Sequence, residues 1–408
     1  MGTAGIIVEY NPLHSGHLRL LEAGRALLGQ DTAMVCVMSG NFVQRGDFAL
    51  LRKHARARAA VESGADLVLE LPLPWAVSSA EGFADGGVQA LAATGLVDHL
   101  LFGSECGDAA ALGRVADALL TSGFRDRLRR ELPGAVSFAA ARARALAGLV
   151  SQEDAALLSS PNNILGIEYC KALLGQKVSL RPVTIRREGS AHDGALAPGT
   201  HPSASGLRAL LRQGRREEAL ALLPPAMARA YEAEEAAGRA PVFRDNCERA
   251  ILARLRSMPA ADFAALDGGK EGLWNRLYDA SRTAATLPQL LEAAKTRRYA
   301  MARLRRMVLW AYLGLTPADV PERVPYLRVL AANDTGCRLL AEMRKTSAVP
   351  VLTKPAQARR LGREARRLFE LEVRATDLYT LAYPRLEAAA GGAEWREGPV
   401  ILGGSAPC

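Results

Sequence analysis

No stretch of the 408-residue sequence approaches eighteen uncharged apolar residues, so a membrane-spanning helix is not expected. The start, MGTAGIIVEYNP, has no basic run ahead of an apolar one, and Glu9 interrupts its short apolar stretch. A secretory signal is therefore not expected either, and the cytoplasm is the expected compartment. Paired cysteines are also missing. The six present, Cys36, Cys106, Cys170, Cys247, Cys337 and Cys408, stand singly with no C-x-x-C. That argues against a structural zinc site or a disulfide framework and for reduced thiols. No clear internal repeat is visible, and no segment is biased enough in composition to be disordered. With 49% apolar and 23% charged residues, the chain has the profile of a soluble globular protein with room for two domains.

Charge is not balanced. The formal net charge is +9, and from Leu290 to Cys408 there are 20 Lys+Arg against 12 Asp+Glu. An excess gathered in the last third suggests a surface for a phosphate backbone. The plainer alternative is a solvated helical face rich in arginine.

The first 110 residues alternate between two periods. Ile6–Val8, Ala33–Met38, Leu67–Leu69 and Leu100–Phe102 are short apolar runs. Between them, Leu18–Leu28, Lys53–Ser63 and Ala80–Ala93 read as helices; in the first, Leu20, Ala23 and Leu27 share one face. Such alternation predicts a doubly wound parallel sheet of Rossmann type, covered on both faces. Residues from about 108 to 180 read as mostly helical, with a break at Pro161-Asn162-Asn163. Val183–Ile185 reads as a strand, 189–205 as a Gly/Pro/Ser/His-rich loop, and a helix is expected near Gly206. Strand signals then largely stop. A boundary is expected near 215, dividing an α/β unit, 1–215, from a mainly α-helical unit, 216–408.

Chemistry concentrates where strands end. Glu9-Tyr10-Asn11-Pro12-Leu13-His14-Ser15-Gly16-His17 follows the first strand and opens the first helix. Unpaired N–H groups and the dipole at such a terminus favour phosphate. His14 and His17, three apart, lie on one side of the first turn and can donate to it, stabilising charge as an α-phosphorus is attacked. Gly16 permits close approach of a ligand to the backbone. An accidental H-x-x-H or a metal pair would look the same, but no third His or Cys ligand stands nearby, and no metal ligand is expected. Arg45, in Ser39-Gly40-Asn41-Phe42-Val43-Gln44-Arg45-Gly46-Asp47 after the second strand, could face an acid or phosphates; the alternative is an ordinary polar loop. Gly103 would let an adenine or ribose pass, unless it only makes a turn. Asn162 and Asn163 could read adenine or simply cap a helix. Ser203 and Ser205 can cap a helix and bind phosphate together, and Arg208 could neutralise a departing pyrophosphate.

Taken together, GIIVEYNPLHSGH, SGNFVQRGDFALL, ADLVLELP, FGSECGD, SPNNILGIEY, TIRREGSAHD and SASGLRALL resemble the tRNA(Met) cytidine acetate ligases. The later PYLRVLAANDTGCRLL and TSAVPVLTK match as well, and the HxGH run resembles the HIGH-type motif of nucleotidyltransferases. The resemblance spans nearly the whole chain and is weakest at about 215–290. It implies a nucleotidyltransferase-type fold and an enzyme that makes acetyl-adenylate from acetate and the magnesium complex of ATP, then acetylates N4 of the wobble cytidine of elongator tRNA(Met). It implies ATP contacts along Ile7, Val8, Glu9, Tyr10, Asn11, Pro12, Gly16 and Leu20, and at Gly103, Asn162 or Asn163, and Arg187. Two other readings remain: a small-molecule adenylyltransferase, or a non-catalytic ATP-sensing RNA-binding protein. Arg297, Arg298, Arg305 and Arg306 are the candidate tRNA contacts; no membrane partner is expected.

Overall fold

Residues 2–135, 137–187, 203–266 and 272–403 are described by a computed structural model of the chain. Its first strands are β1 (Thr3–Val8) and β2 (Ala33–Ser39), followed by a two-stranded hairpin of β3 (Phe42–Val43) and β4 (Asp47–Phe48). Then come β5 (Leu67–Leu71), β6 (His99–Ser104) and β7 (Arg181–Arg186). Late in the chain lie β8 (Leu327–Asn333), β9 (Val351–Leu352) and β10 (Val400–Leu402). All residues of β1, β2 and β5 are buried, as uninterrupted apolar runs require when helices cover both faces.

The main sheet runs β10-β8-β5-β2-β1-β6-β7, with β9 added on β8. From β1 the chain steps out through β2 to β5, then returns to the other side of β1 for β6 and β7. This reversal opens a crevice between β1 and β6 at the carboxyl ends of the strands, where ligands bind in such sheets. The core divides by strand parity. Ile7, Val35 and Val37 face one side, and Ile6, Val8, Met34 and Cys36 the other.

Helix α1 (Ser15–Leu28) starts earlier than its apolar periodicity predicts because His14 caps it. Helix α2 spans Lys53–Glu62. The expected helix Ala80–Ala93 is present, as are the helices Pro161–Gln176 and Ala204–Arg212. No helix among the described residues is long and apolar enough to cross a membrane.

Two expectations need correction. The sheet is not wholly parallel: β8 runs antiparallel to β5. Nor does the boundary near 215 separate the strands, because β8, β9 and β10 complete the sheet begun at Thr3. A buried ionic network fastens the two parts. Lys53 on α2 donates to Glu70 at 2.8 Å and to Glu394 at 2.5 Å, and Arg328 on β8 also pairs with Glu394. Cys36, Cys106, Cys170 and Cys247 are free thiols.

Candidate functional site

The turn from β1 into α1 is organised by its two histidines. His14 is the N-cap residue, and its Nδ1 accepts from the Gly16 N–H at 3.1 Å. The His14 N–H in turn donates to Nδ1 of His17 at 3.1 Å. The rings lie 3.9 Å apart, tilted by 35°, and Tyr10 meets His17 edge-on with centroids 4.9 Å apart. Burial, then the charges of His14 and Arg187, push the His17 pKa well below its ordinary 6.5. A neutral imidazole that accepts at Nδ1 carries its proton on Nε2. The capping bonds therefore leave each histidine with Nε2–H as its donor. Gly16 matters for a reason other than ligand approach: a Cβ there would stand 3.0 Å from the His14 ring.

The β3–β4 hairpin forms a second wall. Glu9 accepts from the Gln44 N–H at 2.7 Å. Burial raises the Glu9 pKa although Arg45, Arg56 and Arg208 oppose the shift. Arg45 is exposed near the hairpin turn. Arg208 donates from Nη2 to Asp47 Oδ2 at 2.5 Å, so its first partner is a carboxylate of the hairpin. Gly46 takes φ +72°, and a Cβ on it would come within 2.5 Å of the backbone of Arg305 and Arg306. The helix Met301–Leu313 is thus seated directly on the hairpin.

Arg56 is a positioning residue that the sequence reading missed. It is fully buried on α2. Its guanidinium donates to the carbonyls of Leu51 at 2.9 Å and Ser39 at 3.0 Å, and also to those of Gly40 and Glu9. One fork thereby ties the ends of β1 and β2 to the hairpin loop. Asn11 has a related role: its Oδ1 accepts from the Leu50 N–H at 2.7 Å.

Across the crevice, a Cβ on Gly103 would lie 3.1 Å from Cγ of Arg187, and Arg187 acts electrostatically on His17. Gly103, Arg187 and the histidine pair therefore lie close together. The two asparagines separate clearly. Asn163 is buried, and its Oδ1 accepts from the N–H groups of Glu105 at 3.0 Å and Cys106 at 3.1 Å. Asn162 is half-buried, and its amide donates to Glu105 Oε1 at 2.8 Å. Glu105 also receives the Asn162 and Asn163 N–H groups at the start of the helix Pro161–Gln176. Burial works to raise the Glu105 pKa, but the Asn162 and backbone bonds hold it below the usual range.

Other expected residues lie at the margin. The side chains of Ile7, Val8 and Tyr10 belong to the core, and Leu20 is packed against it. Pro12 is buried in the same loop. Ser203 caps the helix Ala204–Arg212, accepting from the Gly206 N–H at 3.2 Å, and its hydroxyl is 3.0 Å from that of Ser205. His192 and Asp193, in the TIRREGSAHD motif, lie outside the described residues. Of the basic run, Arg297 and Arg298 are exposed, whereas Arg305 and Arg306 are half-buried, with Arg306 donating to the Gln44 carbonyl at 3.4 Å. Among the described residues, no group of three or more His, Cys, Asp or Glu is placed to hold a metal ion.

Comparison with known proteins covers nearly the entire chain. The family model described as HIGH Nucleotidyl Transferase matches residues 1–393. A protein of Acetivibrio thermocellus named tRNA(Met) cytidine acetate ligase is 36% identical over 98% of this chain and 100% of its own length. One of the same name from Fervidobacterium nodosum is 35% identical over 94% of this chain and 95% of its own. The crystal structure of Thermotoga maritima TmcAL in its apo form I matches with a TM-score of 0.94, and form II, bound with alpha-thio ATP, with 0.92. Both are 32% identical and cover 99% of this chain and 100% of theirs.

Proposed function

The chain belongs to the tRNA(Met) cytidine acetate ligases of the HIGH nucleotidyl transferase family, and on that premise we propose how its residues carry the reaction. A carboxylate oxygen of acetate attacks the α-phosphorus of ATP. The bond from that phosphorus to the bridging oxygen breaks, pyrophosphate leaves, and acetyl-adenylate remains. The N4 amine of the wobble cytidine in elongator tRNA(Met) then attacks the acetyl carbon. AMP departs with the electrons of the broken C–O bond, and the amine gives up a proton. The mixed anhydride supplies the leaving group that acetate lacks.

The observation that carries this reading is the pair of Nε2–H donors at the start of α1, with Arg187 beside them. Donors fixed before the substrate arrives stabilise charge growing on the phosphates without reorganising. In this proposal Gly103 and Asn162 line the adenosine side, Asn162 being chosen over Asn163 because Asn163 already holds the 105–106 backbone. Ser203, Ser205 and Arg45 face the phosphate side. No covalent relay through the enzyme is invoked: burial pushes the Cys36 and Cys170 thiols up to about 12, which keeps both protonated at neutral pH. Magnesium comes with the ATP phosphates, whose charge it offsets, rather than with a carboxylate cluster. Residues 216–408, with Arg297 and Arg298 exposed, supply much of the tRNA surface, and the cytoplasm is where the enzyme is expected to work.

The test is acetate-dependent ATP consumption by the purified protein, with and without tRNA(Met), followed by nucleoside mass analysis of the RNA. N4-acetylcytidine formed only with both ATP and acetate is the expected result. Pyrophosphate release with unmodified RNA would point instead to a small-molecule adenylyltransferase. ATP binding with no turnover would leave an ATP-sensing RNA-binding protein.

A further inference from the structure

Four arginines from distant parts of the sequence gather at the outer side of the hairpin, around a single carboxylate. Arg208 donates to Asp47 at 2.5 Å. Burial alone would raise the Asp47 pKa, but the charges of Arg208, Arg244 and Arg212 hold it below the usual range. Arg305, on the helix Met301–Leu313, feels the same group: burial and then Arg244, Arg208 and Arg212 depress its pKa against the pull of Asp47. Arg212 also pairs with Asp245, and its guanidinium lies 4.4 Å from the centre of the Phe243 ring. The cluster adjoins the crevice, since the charge of Arg208 also acts on Glu9.

Two details make this more than a solvated basic patch. Arginine side chains on a surface spread into water, whereas these converge on one another. Moreover, the Nε atoms of Arg244 and Arg305 are both buried and have no hydrogen-bond partner among the described residues. A buried N–H without an acceptor is unfavourable, and more so when like charges crowd it. Asp47 and Asp245 together leave the four guanidiniums with an excess of positive charge. An anion offering several oxygens would answer both deficits, and forked guanidiniums match the geometry of phosphate.

We infer that Arg244 and Arg305, together with Arg208 and Arg212, form a phosphate-binding site beside the nucleotide crevice. The ligand is a phosphate group, drawn either from the polyphosphate tail of the nucleotide or from the phosphodiester backbone of RNA. The inference rests on the proposed function only for its choice of RNA.

The experiment is direct titration of the full-length protein with inorganic pyrophosphate and, separately, with tRNA(Met) over a range of salt. The variants are Arg244→Gln and Arg305→Gln, with Arg305→Lys as the charge-retaining control. Thermal unfolding establishes that each variant is folded. If the site holds the nucleotide tail, the Gln variants weaken pyrophosphate binding about tenfold and leave tRNA binding unchanged. If it holds RNA, tRNA binding weakens about tenfold and the salt slope falls by about one per lost contact, with pyrophosphate unaffected. In either case Arg305→Lys retains most of the affinity. Folded Gln variants that bind both ligands as the unsubstituted protein does would overturn the site. Binding is read apart from turnover, so absence of RNA acetylation in the unsubstituted protein would remove the ligase reading without touching this one.

Discussion

In the proposed reaction His14 combines a structural duty with a chemical one, and a single substitution can separate them. Its Nδ1 caps α1, and in the proposed reaction its Nε2–H serves a substrate oxygen. Asparagine is an equally good N-cap but cannot extend a donor to the same place. We expect His14→Asn to stay within about 0.5 kcal/mol of the original stability yet to acetylate RNA roughly 100- to 1000-fold more slowly. Thermal unfolding and N4-acetylcytidine yield report the two halves separately. Equal loss in both would mean that the side chain acts only through the fold. His17 makes a prediction about pH. Its folded pKa lies well below 6.5 because desolvation, then the charges of His14 and Arg187, disfavour the protonated ring. The unfolded chain takes up a proton there near 6.5, so the unfolded state gains protons that the folded state lacks as pH falls. Stability should therefore decline through that window. His17→Gln should lose less of its unfolding midpoint than the unsubstituted protein between about pH 7.5 and about pH 5.5; equal declines would assign the effect to other groups.

The β3–β4 hairpin depends on one backbone conformation and one close contact. Gly46 takes φ +72° with the Arg305–Arg306 backbone against it. Gly46→Ala would add both left-handed strain and a clash, on the order of 2–3 kcal/mol together. Denaturant unfolding should show that loss, and ATP affinity should weaken as the wall holding Gln44 on Glu9 shifts. A variant that binds ATP normally would show that the hairpin's seat is not needed by the crevice. Elements of this kind differ in how plainly the sequence announces them. β1, β2, β5, β6 and the helix Ala80–Ala93 were legible because their apolar periods are long or uninterrupted. The histidine turn was legible because its residue types and its place after a strand agree. Arg56 was not: an arginine among alanines on a helix looks like a solvent-facing charge, and only tertiary contact shows it buried beneath four carbonyls. The different partners of Asn162 and Asn163 also depend on the position of the 105–106 segment, which no spacing in the sequence conveys.

At the scale of the whole molecule, the two parts divided at 215 share one sheet. β8 was hidden because it is a short run lying between segments of helical composition, with Arg328 interrupting its apolar pattern. That arginine faces the buried Lys53–Glu70–Glu394 network, so its polarity reflects the join between the two parts and not exposure. A fragment of residues 1–215 should consequently fail to fold cooperatively. It would bare the β5 edge and leave Lys53 and Glu70 without their partners from the second part. Protease resistance and a sharp thermal transition in that fragment would contradict this, and would restore the division read from the sequence.

The position of β8 also has a consequence in time. β5 ends at Leu71, and its neighbour β8 begins only at Leu327, so about 250 residues must be made between two adjoining strands. At roughly 5–20 residues per second, translation of that stretch lasts on the order of ten to fifty seconds. Throughout that interval the nascent sheet has an unpaired edge, the kind of surface that recruits other chains. The sheet is thus begun in the opening part of the message but completed only near its end. A truncated product would leave the ribosome as a sticky half-sheet, and the growing chain is a natural client for whatever shields such edges during synthesis.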